Sequence, residues 1–187
     1  MRRGLTTRGL TRLATLVLLV GVFLLPDPAS ATPLPKGIMA VTPPRLAPLF
    51  ELADMDGRRY RFRRHGSWRF VHFWASWCAP CRREMPALAR AVPRLAAMSM
   101  EVVVINTGET EDTVFEFLAA VAPDQPSLLD SDGSVTEAWR PRGLPATYLV
   151  DPDGHIRYLA LGGRPWDEAA YLDFLRTLTS APARARE

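Results

Sequence analysis

Cys78 and Cys81 are the only cysteines among 187 residues, and they stand in the run Trp77-Cys78-Ala79-Pro80-Cys81. Two thiols with two residues between them meet within one helical turn, so they can form and break a disulfide. A bridge over so short a loop removes little entropy from the unfolded chain and stabilises far less than a long-range one. The spacing therefore suits redox exchange better than a structural staple. The competing metal reading needs four ligands for a structural zinc. The chain has two cysteines and three histidines, with no His-x3-5-His spacing, so neither a metal nor another cofactor is expected.

Only a thiolate attacks a disulfide, so the first cysteine must ionise near neutral pH. Helix position can do this. A helix starting near Cys78 puts that sulfur against unpaired backbone N–H groups and the positive end of the macrodipole. Pro80 in the first turn costs no hydrogen bond there. Cys81, one turn in, is then the less exposed, resolving thiol. The spacer Ala79-Pro80 carries no cation to stabilise a reduced thiolate further, which leans toward a reducing poise.

The elements that must position this pair follow from pattern. Phe70 to Trp74, an apolar run broken by His72, is expected to be a buried strand leading to the cysteines. The helix after it runs to about Met98 and meets Pro86, where a kink is expected. Val102-Val103-Val104-Ile105, within 101–106, suits a parallel strand covered on both faces. Val114, Phe117, Leu118 and Val121 mark a helix over Thr110 to Ala122. Upstream, Leu49 to Ala53 and Arg58 to Phe62 flank Asp56-Gly57, a hairpin signal. Downstream come a short strand at Ser127 to Leu129, a short helix at Val135 to Trp139 and a strand at Ala146 to Val150. Asp151 to Gly154 turns the chain, His155 to Leu161 returns, and a helix over Trp166 to Leu178 closes the order. Such alternation with a final hairpin predicts an α/β fold, a mixed sheet with helices on both faces.

The first residues read as an export signal. Arg2, Arg3, Arg8 and Arg12 precede the apolar stretch Leu13 to Leu25, which is shorter than the roughly 20 residues that span a bilayer. Ala29-Ser30-Ala31 is a small-x-small cleavage site. Residues 1–31 are therefore assigned to a signal peptide, with a membrane anchor as the alternative if it stays uncleaved. No cysteine stands directly after the apolar stretch, which excludes a lipid anchor on cysteine. Of 23 basic and 20 acidic residues, four arginines and Asp27 lie in this segment, which leaves 19 of each. A neutral remainder carries no electrostatic case for nucleic acid or an anionic membrane surface. The proline-rich stretch 32–47 is expected to be a linker, 48–180 the domain and 181–187 a frayed tail.

The stretch Phe73-Trp74-Ala75-Ser76-Trp77-Cys78-Ala79-Pro80-Cys81-Arg82-Arg83-Glu84-Met85-Pro86 resembles the active-site segment of the thioredoxin superfamily, in particular the TlpA/ResA/CcmG-like periplasmic thiol–disulfide oxidoreductases. Asn106-Thr107-Gly108-Glu109 and Gly143-Leu144-Pro145-Ala146-Thr147 match two further segments in the right order. The resemblance runs from about Pro48 to Leu178 and implies a thioredoxin fold with an N-terminal β-hairpin extension. It implies that Pro145 is a cis-proline facing the cysteines and that the Leu144 backbone pairs with an extended substrate. It makes Glu84 an acid that tunes the thiols, whereas the residue pattern alone makes it an ordinary acid in an early helical turn. Trp77 is expected to shield the disulfide and contact partners, and Trp74 to be core. The position six before the first cysteine, Asp or Asn in these relatives, is His72. It either perturbs the Cys81 thiol or fills space as a neutral, hydrogen-bonded ring. His65 and His155 are expected in solvated turns.

The leading function is an exported, periplasmic enzyme that reduces protein disulfides through Cys78 and Cys81. By resemblance, a membrane thiol donor of the CcdA or DsbD kind re-reduces it, and apocytochrome c cysteines are candidate substrates. A disulfide-donating oxidant of the same fold is the second reading. A copper chaperone is a third, opposed by the Cys-x-x-Cys spacing. A peroxidase lacks its Thr-x-x-Cys surround, because Ser76 and Trp77 precede Cys78.

Overall fold

A computed structural model describes residues 33–64 and 66–180. The expected signal peptide, the tail 181–187 and His65 lie outside the described residues. Twelve elements follow in order: β1 (Ile38–Leu46), β2 (Phe50–Asp54), β3 (Arg59–Phe62), β4 (Arg69–Trp74), α1 (Ala79–Ala97), β5 (Glu101–Thr107), α2 (Glu111–Val121), β6 (Leu128–Asp130), α3 (Ser134–Trp139), β7 (Ala146–Val150), β8 (His155–Leu161) and α4 (Ala169–Ser180). All eight strands join one sheet in the order β1-β8-β7-β4-β5-β6-β2-β3. β4 pairs parallel with β5 and antiparallel with β7, so the sheet is mixed as expected.

The sheet separates two apolar clusters because alternate residues of a strand face opposite ways. Phe70 and Trp74 of β4 join Leu88 and Leu95 of α1, Val114 and Leu118 of α2, and Phe174 and Leu175 of α4. Val71 and Phe73 of the same strand join Val103, Ile105, Tyr148 and Val150 on the other side, under Val135 and Trp139 of α3. The hairpin β2–β3 closes this second cluster: Phe62 meets Trp139 edge to face at 5.4 Å and stacks on Phe50 at 5.0 Å. Every residue of β4 is buried, so the segment that delivers the cysteines is fixed from both faces. Pro86 and Pro93 lie inside α1, and the helix continues through both to Ala97.

Two expectations need correction. The stretch 32–47 is not a linker, since residues 38–46 form β1, the outer strand beside β8. Its register holds Ile38 to Ala40 and Arg45 to Leu46 against β8, with an irregularity between them. Pro43 and Pro44 fall in that irregularity. Proline cannot donate to a ladder and survives only at such edges, which is why the segment lacks an alternating signature. The closing helix begins at Ala169 rather than Trp166, because residues 165–168 turn instead: the Glu168 N–H donates to Pro165 O.

Candidate functional site

Cys78 is the N-cap of α1, in extended conformation, with Pro80 in the first turn. Its Sγ accepts from the Cys81 N–H at 3.3 Å, so a sulfur replaces the oxygen that usually caps a helix. The two sulfurs form a disulfide with Cα atoms 5.3 Å apart. Both cysteines are buried, Cys78 5% and Cys81 1% exposed. Beside them Trp77 stands 69% exposed. The Leu144–Pro145 bond is cis. The register of Phe73 against Ala146 sets Pro145 next to the end of β4 from which the cysteines leave, and Pro145 O accepts from Gly162 N–H at 2.8 Å.

The turn between β4 and α1 is held by a residue to which sequence reasoning gave no role. Glu109 accepts from the Ser76 N–H at 2.7 Å, from Asn106 Nδ2 at 2.7 Å and from the Ser76 hydroxyl. On the far side Arg82 donates to Ser76 O at 3.3 Å and lies over the Phe117 ring. The signal was present: Asn106 stands near the end of the apolar strand that must run beside the cysteines, and Glu109 lies just past it.

Behind the helix lies a second carboxylate. Glu84 is buried. Its Oε1 accepts from the Arg164 N–H at 3.0 Å and from the Trp166 indole N–H. Its Oε2 is buried without a hydrogen-bond partner among the described residues. Burial pushes the Glu84 carboxyl up to about 7, against the lowering effect of those two donors. His72 Nε2 lies 3.9 Å from Oε2, too far for a hydrogen bond. His72 Nδ1 is 2.9 Å from Thr147 Oγ1. Burial pushes its imidazole down to about 3. Near neutral pH this is therefore a neutral histidine beside an acid whose hold on its proton burial strengthens. Arg164 and Trp166 were missed in the sequence, where they are 80 and 82 positions from Glu84 and nothing local marks them. His155, in β8, sits 3.7 Å from Asp151 and away from this group.

Residues 44–159 match the AhpC/TSA family. The chain belongs to that family. Among relatives of this AhpC/TSA protein, the thiol-disulfide oxidoreductase ResA of Bacillus subtilis (strain 168) is 32% identical over 117 residues, 62% of this chain. That match spans 65% of the relative, just under two thirds of its length. Among solved structures, a thiol:disulfide interchange protein DsbE from Chlorobium tepidum superposes with a TM-score of 0.64 at 28% identity, covering 73% of this chain and 96% of the other. StoA from Bacillus subtilis, at 22% identity and a TM-score of 0.60 over 72% and 98% of the two chains, supports the fold alone. The mixed sheet and its flanking helices are thus the thioredoxin fold expected from the sequence. Among the described residues no helix is long and apolar enough to cross a membrane.

Proposed function

We propose that this AhpC/TSA protein is an exported thiol–disulfide oxidoreductase that reduces disulfides in other exported proteins. The observation that carries the reading is the Cys78–Cys81 disulfide at the start of α1, with the Cys78 sulfur in the capping position. Developing negative charge on Cys78 is favoured there by the helix N-terminus.

In the reduced protein the Cys78 thiolate attacks one sulfur of a substrate disulfide. A mixed disulfide forms and the other substrate sulfur leaves, taking a proton. Cys81 then loses its proton and attacks Cys78 Sγ, and the second substrate sulfur departs. The substrate gains two electrons and the Cys78–Cys81 pair is oxidised by two. A membrane thiol donor of the CcdA or DsbD kind restores the dithiol, and haem-attachment cysteines of apocytochrome c are candidate substrates. Leu144 and Pro145 present an extended backbone to the substrate, with exposed Trp77 as its apolar contact. Glu84 holds the exchangeable proton near the resolving thiol, with the neutral His72 ring beside its Oε2.

The reduction potential, measured by equilibration in glutathione or dithiothreitol buffers, tests the direction. A value near about −270 mV supports a reductase, and one near about −120 mV supports a disulfide donor instead.

A further inference from the structure

Glu84 has two chemically different oxygens. Oε1 takes both donors the protein aims at the carboxyl, the Arg164 backbone N–H and the Trp166 indole N–H. Oε2 takes none among the described residues, although it is buried. A carboxyl so divided ionises asymmetrically: N–H donors favour charge on the oxygen they bind, and the proton goes to the other. The indole is aimed independently of this bond. Trp166 is fully buried, with its ring edge to face against Phe70 at 4.8 Å and against Tyr171 at 5.4 Å.

We infer that Trp166 is a positioning residue for Glu84: its indole N–H, with the Arg164 amide, occupies Oε1 and makes Oε2, on the His72 side, the oxygen that takes and releases the proton. The inference rests on the proposed role of Glu84 in thiol exchange and names what governs that role. The other charged or titratable groups around Glu84 do not compete for Oε2. The Arg164 guanidinium is turned back to Gly163 O and Leu161 O. Tyr171 donates to Lys36 O, and Asp167 pairs with Arg90. The two cysteines do not titrate while bridged. Arg83 lines the adjoining cavity of about 250 Å³ with Pro80, Gly163 and Pro165, on the solvent side of Glu84. Among the described residues that leaves His72 from β4 as the titratable group facing Oε2, with the backbone of Gly163 also beside it.

The test is a pH titration of the oxidised protein by NMR, following the Glu84 carboxyl carbon and the five tryptophan indole N–H signals, with Glu84→Gln identifying the carboxyl. The Trp166 indole is expected to move through the same midpoint as the Glu84 carbon, and to stop moving in Glu84→Gln. Trp166→Phe, which keeps a ring against Phe70 and Tyr171, is expected to raise the Glu84 midpoint by about one pH unit through loss of a donor to the ionised form. It shifts the pH profile of disulfide reduction in parallel, and shifts nothing in a Glu84→Gln background. A flat Trp166 indole overturns the inference, as does an unmoved midpoint in folded Trp166→Phe. Should that variant fail to fold, the wild-type indole decides alone. Exchange with a small aromatic disulfide, abolished by Cys78→Ser, separately tests the activity. A protein inert in that assay overturns the proposed function and leaves the indole result standing.

Discussion

Two carboxylates flank the cysteine pair, and the protein treats them in opposite ways. Glu109 collects three donors from the backbone and side chain of Ser76 and from Asn106. Glu84, the more deeply buried of the two, has both of its donors on one oxygen and, among the described residues, none on the other. The first is a tie for the turn that presents Trp77 and Cys78. The second has its proton affinity raised by burial. The difference teaches that a half-buried acid whose two oxygens both meet donors serves as a tie, whereas a buried acid with one oxygen left without a donor keeps a raised proton affinity.

The sharpest way to break this contrast is Glu109→Ala. It leaves the buried Asn106 amide and the Ser76 N–H without an acceptor, and a loss of about 3 kcal/mol is expected in denaturant melts. A melt within error of wild type would mean the tie is dispensable.

Next in size is the pH dependence of stability. The folded Glu84 binds its proton up to about 7, against an ordinary value of 4.5, so its contribution is full at low pH and lost as pH rises through 7. His72 behaves oppositely. With its folded value depressed to about 3 from 6.5, its contribution is present above 6.5 and is lost as pH falls toward 3. Between about 4.5 and 6.5 the folded acid and the unfolded imidazole each hold one proton, and the two slopes cancel. Glu84→Gln is therefore expected to make stability fall with decreasing pH across that window, by up to about 1.4 kcal/mol per unit. His72→Asn is expected to make it rise instead, by a similar slope. Parallel curves for the two variants would show that the pair is not isolated in the way described.

The smallest effect is expected for Glu109→Gln. The amide oxygen can accept from both N–H groups while its NH2 donates to the Ser76 hydroxyl, so melts should move by less than about 1 kcal/mol. A loss as large as that of the alanine variant would show that charge, rather than acceptor geometry, holds the turn.

The same contrast marks how far the sequence could be read. Cys78, Pro80 and the buried strand before them are local patterns, and their placement followed from helix-terminus chemistry and apolar runs. His72 was visible as an interruption, but Thr147, its partner, lies 75 positions on. The choice between a tuning residue and a space filler depended on burial that no local pattern encodes. Glu84 was legible only through resemblance, and the half-filled state of its carboxyl depends on Trp166, 82 residues away. β1 escaped notice because period-two alternation is what announces a strand, and Pro43-Pro44 interrupts it.

That proline pair also bears on how copies of the molecule treat one another. Among the described residues the eight-stranded open sheet has two free rims, and each is a template onto which another chain can add a strand. One rim is β3, which carries Arg59 and Arg61, both paired to Glu51. The other is β1, where two successive residues have no N–H to offer and the register breaks. One edge resists strand addition with charge and the other with missing donors, so crowded copies have no continuous ladder on which to grow a shared sheet.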